Sequence, residues 1–292
     1  MGRRPTIRLE HEYIHTNGVV LHTVQAGPVD GPPVILLHGF PEFWYGWNKQ
    51  IPFLANAGYR VWAPDQRGYN LSEKPPGVAA YDREQTAADI VGLIDAGGWS
   101  RAAIVGHDWG ALAAWRVAID YPERVKKLII LNGPHPSAMR RLLQESWVQR
   151  LRSTYAAFFQ IPWLPEQLLG AAGGWLLARV MRQSSRPGTF SADELARYRQ
   201  SWDRPGALEA MLNWYRAARI RSLSNSRQSQ RVVPSTLILW GRQDHFLSEQ
   251  LGPASKRYCD DGRLIFVANA THWLQHEEPA LVNSMVADFL TD

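Results

Sequence analysis

The sequence predicts an α/β protein: a mostly parallel sheet flanked by helices, carrying one inserted all-helical block. Three observations lead there. Short continuous apolar runs, such as Val34-Ile35-Leu36-Leu37 and Ala102-Ala103-Ile104-Val105, read as strands buried on both faces. These runs alternate with stretches of helical period, the pattern of repeated β-α units. At Asn132-Gly133-Pro134-His135-Pro136 the alternation stops, and no strand signal returns before Ser235.

Taken in order, Glu10 to Thr16 and Val19 to Ala26 are alternating runs joined by Asn17-Gly18. That dipeptide suits a type I′ hairpin turn, whose two central residues both need positive φ. Val34 to Leu37 is the first buried strand. Asn48 to Ala57 has helical spacing, with Gly58 as its stop, and Arg60 to Ala63 is the next strand. Asp65-Gln66-Arg67-Gly68 lies in a long polar loop that ends at Tyr81. Asp82 caps a helix, Gln85 stands at the reciprocal capping-box position, and Ala87, Ile90, Val91 and Ile94 keep a helical period. A strand at Ala102 to Val105, a helix from Ala111 to Tyr121 and a strand at Val125 to Leu131 follow. In the inserted block Trp, Leu, Ala and Arg recur at helical spacing, with interruptions at Pro162, Pro165, Pro187 and Pro205. Ser235 to Trp240, a helix near Glu249, Leu264 to Val267 and a helix from Pro279 resume the α/β pattern. The expected division is 1–134 and 232–292 for the α/β core and 135–231 for the helical lid. The lid is expected over the carboxyl ends of the strands, where open α/β sheets bind ligands.

A chain of 292 residues buries enough surface to need no staple. Its single cysteine, Cys259, excludes an intramolecular disulfide and suits a reducing, cytoplasmic setting. Met1 to Pro5 carries charge with no apolar run behind it, so no signal peptide is expected, and no stretch has the length of a membrane span. The net charge of +5 is uneven. Ala138 to Arg231 holds 15 Arg, no Lys and 6 Asp plus Glu, a net +9 that leaves −4 for the rest. The arginines are scattered among apolar residues at helical spacing, which favours a solvated helical face over a nucleic-acid surface. Neither metal-ligand spacing nor a Gly-rich nucleotide loop is present, and no cofactor is expected.

The chemistry concentrates at three strand ends. Gly106-His107-Asp108-Trp109-Gly110, a small-X-acid-X-small turn between strand and helix, has the shape of a nucleophile elbow that lifts Asp108 above the sheet. Asp244 follows Leu237-Ile238-Leu239-Trp240, and His272 follows the last strand. Each alone is weak, since a lone Asp after a strand is more often a helix cap and a lone His more often structural. Together they have the nucleophile, acid, histidine order of α/β-hydrolases. A carboxylate is already ionised at neutral pH and can attack an alkyl carbon directly. The resulting ester needs a water activated by His272, with Asp244 orienting the imidazole. The backbone N–H groups of Phe40 and Trp109 are the expected oxyanion donors. Epoxides, alkyl halides and alpha-halo acids fit this scheme. His38 is expected to hold the oxyanion loop and Asp65 and Arg67 to anchor theirs. His107 and His135 have no partner that sequence names. Pro41 is a place where a cis peptide bond can fall.

Seven stretches, HGFPEFWYGW from His38, DQRGYNLS from Asp65, GHDWGA from Gly106, FFQIPW from Phe158, NWYR from Asn213, GRQD from Gly241 and HWLQHEEP from His272, span nearly the whole chain. In these the sequence resembles the epoxide hydrolases of the α/β-hydrolase superfamily, the Asp-nucleophile branch of soluble and lipid-epoxide hydrolases. It departs at Ala111, where that family often has a second glycine. The resemblance implies the α/β-hydrolase fold with a helical cap, an epoxide and water as partners, and two lid tyrosines, Tyr155 and Tyr215, gripping the epoxide oxygen. Phenols with a pKa of about 10 suit that task, since they donate without competing as anions; Tyr198 is the nearest alternative. Trp44, Pro41, Phe158 and Trp273 are the expected pocket wall. The assembly expected is a monomer or homodimer.

Three rival readings remain at this stage. A haloalkane dehalogenase shares the Asp nucleophile and a following Trp, but Phe40 stands where that family often has Asn. A fluoroacetate-type dehalogenase needs arginines beside the nucleophile, where Trp109 and Leu112 stand. A non-catalytic ligand receptor on the same fold need not keep every catalytic group, yet this chain keeps all of them.

Overall fold

The computed structural model describes residues 7–221 and 230–292. The reading of Met1 to Pro5, and the part of the lid at 222–229, lie outside them. Eight strands form one sheet in the order β1-β2-β4-β3-β5-β6-β7-β8. They are β1 (Glu10–Thr16), β2 (Val19–Ala26), β3 (Pro33–Leu37), β4 (Arg60–Pro64), β5 (Ala102–His107), β6 (Val125–Leu131), β7 (Thr236–Gly241) and β8 (Gly262–Val267). The hairpin β1-β2 and the pair β2-β4 are antiparallel, and every pair from β4 to β8 is parallel. At the hairpin, Asn17 and Gly18 take φ of 43° and 72°, as the type I′ turn requires.

The buried runs have two-sided packing as their cause. Ile35 and Leu37, Ile104, Leu128 and Ile130 point to one face, with α2 (Arg83–Ala96) and α3 (Trp109–Asp120). Val34 and Leu36, Val105, Ile129 and Leu131 point to the other, against α1 (Ile51–Asn56) and α12 (Pro279–Thr291). Alternate residues therefore enter different cores, and neither face tolerates a polar side chain. Asp82 caps α2 through the N–H groups of Glu84 and Gln85, while the Gln85 amide oxygen accepts from Asn17 at 3.1 Å.

Between β6 and β7 the described chain is helical: α4 (Pro136–Glu145), α5 (Trp147–Arg152), α6 (Thr154–Phe158), α7 (Leu164–Ser184), α8 (Ala192–Trp202) and α9 (Ala207–Arg221). Two details differ from expectation. Pro165 does not interrupt a helix but sits in the first turn of α7, where its missing N–H is harmless. The break falls further on, at Ala171–Gly174, where the dihedrals leave the helical region. Ser191 and Glu194 form a reciprocal capping box at the start of α8. After β7 come α10 (Leu251–Lys256), then β8, the short α11 (Leu274–Glu277), which sequence did not anticipate, and α12. Among the described residues no helix is long and apolar enough to cross a membrane.

Candidate active site

The parallel sheet brings three loops to one end. Asp108, between β5 and α3, has φ 49° and ψ −115°, a conformation that non-glycine residues rarely adopt. The surroundings are built to allow it. A Cβ on Gly110 would lie 2.1 Å from the Leu37 carbonyl oxygen, and one on Gly39 would lie 2.5 Å from the Asp108 Cβ. Only glycine lets the elbow and the loop after β3 approach so closely. That approach sets the nucleophile's hydrogen bonding: the Phe40 N–H donates to Asp108 Oδ1 at 2.9 Å. Trp109 opens α3, so its N–H is one of the helix's unpaired first donors. The Phe40-Pro41 peptide is cis.

Asp108 Oδ2 faces His272 Nε2 at 3.6 Å, and His272 Nδ1 lies 2.7 Å from Asp244 Oδ2. Asp244 is saturated with donors. The Phe246 and Leu247 N–H groups donate to Oδ1 at 2.7 and 2.9 Å, and Asn132 Nδ2 donates to Oδ2 at 2.5 Å. Asn132, just past β6 with φ 38°, also accepts from the Gly241 N–H at 2.7 Å, so it splices two strand ends together. Burial alone would raise the Asp244 carboxyl, but the His272 partner and these donors hold it below its ordinary value. Burial would likewise lower His272; the charge and hydrogen bond of Asp244, then the charges of Asp108 and Glu42, raise it to about 9.

Behind the imidazole lies a buried polar cluster. His107 Nε2 donates to the His272 carbonyl at 2.9 Å, and its Nδ1 stands 3.1 Å from Glu42 Oε2. Glu42 also meets His276 Nε2 at 2.6 Å and accepts from the Tyr198 hydroxyl at 2.9 Å and from Gln275 at 3.1 Å. Burial opposes its charge, yet the two histidines outweigh it and keep the carboxyl well below the usual range. Sequence reasoning named no partner for His107 and passed over Glu42 and Asn132; no spacing along the chain links residues that meet across loops. His38 does brace its loop, with Nδ1 3.0 Å from the Gly39 carbonyl and Nε2 accepting from the Gln66 N–H. Asp65 accepts from the Trp44 N–H at 3.0 Å, and Arg67 pairs with Asp89, so both anchor loops. His135 starts α4 and stacks on Tyr258.

Above Asp108 opens a cavity of about 740 Å³ whose wall includes Trp109, Met139, Tyr155, Trp214, Tyr215 and Leu247. Tyr155 on α6 and Tyr215 on α9 have ring centroids 6.0 Å apart. Tyr215 packs edge-on to Trp109 at 4.6 Å and Phe40 at 5.3 Å; Tyr155 packs against Phe159 and Phe246. Burial, reinforced by negative charge at Asp108, raises both phenols above their ordinary value, so both stay protonated. Tyr198 points elsewhere, to Glu42.

The expected pocket wall is not the observed one. The Pro41 carbonyl accepts from the Trp202 indole at 2.6 Å, beneath the helices. Trp44 packs edge-on to His11 and Phe43. The Trp273 indole donates to the Ser184 hydroxyl at 2.9 Å inside the core. Phe158 lies beside Phe159 on α6, while Tyr155, Ala156, Ala157 and Gln160 take the cavity side of that stretch. Proximity in sequence to a site residue does not fix which way a ring points on a helix or tight loop.

The alpha/beta hydrolase fold family matches residues 32–279. The "AB hydrolase superfamily protein YfhM" of Bacillus subtilis (strain 168) is 47% identical over 96% of this chain and 97% of its own length. Human "Epoxide hydrolase 4" is 36% identical over 96% of this chain and 78% of its own. A crystal structure of the Bacillus megaterium epoxide hydrolase in complex with an inhibitor superimposes with a TM-score of 0.87 at 33% identity, covering 96% of this chain and all of that one. The chain belongs to the α/β-hydrolase fold family, in its epoxide hydrolase branch.

Proposed function

We propose that this protein opens epoxides to vicinal diols through an alkyl ester on Asp108, under a helical lid at 135–231. The observation that carries this reading is the placement of two protonated phenols, Tyr155 and Tyr215, in the wall of the same cavity as the Asp108 carboxyl group. Asp108 Oδ2 attacks a ring carbon, the carbon–oxygen bond breaks, and the leaving alkoxide takes a proton from a phenol. Oδ1, already held by the Phe40 N–H, becomes the ester carbonyl oxygen. Water then adds to that carbonyl, His272 takes the water's proton, and the Phe40 and Trp109 N–H groups serve as donors to the growing oxyanion. Collapse expels the diol oxygen that came from Asp108, His272 passes its proton to that departing alkoxide, and the second proton of the water returns to the phenolate, which regenerates the Asp108 carboxylate and the phenol.

The raised affinity of His272 for its proton has a role in the sequence of events. Raised to about 9, the imidazole holds a proton at neutral pH before the reaction begins. Esterification removes the negative charge of Asp108, one of those that raise His272, and so turns the imidazole toward the base that hydrolysis needs. A haloalkane substrate would not use the phenol pair, since a halide leaves as a stable anion. In a single turnover in ¹⁸O-water the diol should carry no label and Asp108 should acquire it; label in that first diol would sink the covalent path.

A further inference from the structure

Residues in the cavity wall that are themselves exposed include Arg140 and Gln144 of α4, Ala157 of α6 and Ala218 of α9. The short α5 joins α4 to α6, and its outer face is apolar. Trp147 is 70%, Val148 40% and Leu151 62% exposed. Positions i, i+1 and i+4 share one side of a helix. The opposite side is pinned to the core: buried Gln149 donates to the Phe246 carbonyl and accepts from the Ser248 N–H, both at 2.9 Å. Arg152 donates to the Asp244 carbonyl at 3.1 Å. A tethered helix thus displays an indole and two aliphatic side chains on the segment that joins two helices of the cavity wall.

The charge along this stretch is net positive. Residues 136–160 contain Arg140, Arg141, Arg150 and Arg152 against a single acid, Glu145, which pairs with Arg141 at 2.8 Å. Trp and Leu on a segment that also exposes Arg140 and Arg150 suit the boundary between lipid headgroups and acyl chains, with these two guanidinium groups reaching the phosphates. A second copy of the chain suits the face less well, because a two-fold contact would set these arginines against their own symmetry mates.

We propose that the α4-α5-α6 segment docks the protein on anionic lipid surfaces, with that wall of the cavity turned to the bilayer. Docking is independent of the reaction. Its consequence, that apolar epoxides dissolved in the membrane enter without crossing water, rests on the epoxide reading.

The test uses the whole protein and sedimentation with vesicles of phosphatidylcholine alone or with about one third phosphatidylglycerol. Binding should appear on the anionic vesicles and weaken at least about tenfold on neutral ones or in about 0.5 M salt. The Trp147→Ser, Leu151→Ser double variant, checked for an unchanged melting temperature, should lose binding at least about tenfold. It should also raise KM for a vesicle-dissolved long-chain epoxide while leaving styrene oxide hydrolysis unchanged. Wild-type protein that stays in the supernatant, or a double variant that sediments as well as wild type, would overturn the proposal. So would a dimer in light scattering that the double variant converts to monomer, which would make the face a self-association surface. If vesicles bind but no epoxide is turned over, docking stands and the epoxide reading falls.

Discussion

The floor and the roof of the cavity are built on different principles. On the floor, Asp108, Asp244 and His272 sit on loops that leave parallel strands, and each is fixed by backbone donors or by its neighbours. Two of the supporting residues, Asp108 and Asn132, hold positive φ. On the roof, Tyr155 and Tyr215 project from helices and are held by the rings of Trp109, Phe40, Phe159 and Phe246. The floor manages charge, which in a buried site must be compensated by aimed dipoles or paired groups. The roof carries neutral phenols, for which burial among aromatics is sufficient, because burial itself keeps a phenol protonated. A site that needs both an anion and a proton donor within one cavity can therefore take them from two separately built layers.

The largest effects should come from the floor. Asp108→Asn should lower turnover by about 10⁴-fold or more, read as diol formation from styrene oxide. His272→Gln should still alkylate and so accumulate ester, visible as added mass on the intact protein; free enzyme regenerated at the wild-type rate would remove His272 from its role. The roof should matter less and at a different step. Tyr155→Phe and Tyr215→Phe should each slow ring opening by about 10²–10³-fold without accumulating ester. Ester build-up in either would place the phenols in hydrolysis and dissolve the division between the layers.

The smallest effect is on stability. The folded-state pKa of His272 is raised from 6.5 to about 9. Its contribution is therefore fully present below pH 6.5 and lost as pH rises through about 9. Asp244 is shifted the other way, so its share is lost on acidification through its lowered value. Between pH 7 and 10, wild type should lose on the order of a few kcal/mol of unfolding free energy. His272→Gln should lose less over the same range. Equal losses in denaturant titrations would contradict the raised value.

Much of the floor was legible in the sequence because its signals are local. A strand buried on both faces must be apolar throughout, so Val34–Leu37 and Ala102–Val105 announce themselves. An elbow needs small residues on both sides of its exposed side chain, so Gly106 and Gly110 mark Asp108. Long helices such as α2 and α12 show their period. The short ones do not: α11 has four residues, too few to display any. Trp44, Pro41, Phe158 and Trp273 lie within the motifs yet do not line this cavity, since a side chain's direction depends on what packs beside it. The Glu42 cluster shows the same limit, since its members lie at positions 42, 107, 198, 275 and 276.

By itself, then, the sequence determined the order of elements, the position of the helical insertion and the acidic side chain at the elbow. Each of these depends on neighbours a few residues apart, through backbone sterics, burial of a strand face or helical period. Only the tertiary structure decided which side chains share the cavity, which buried acids and histidines compensate one another, and that His272 is raised to about 9. Those properties depend on distances across loops and on exclusion of water, and neither exists until the chain has closed around them.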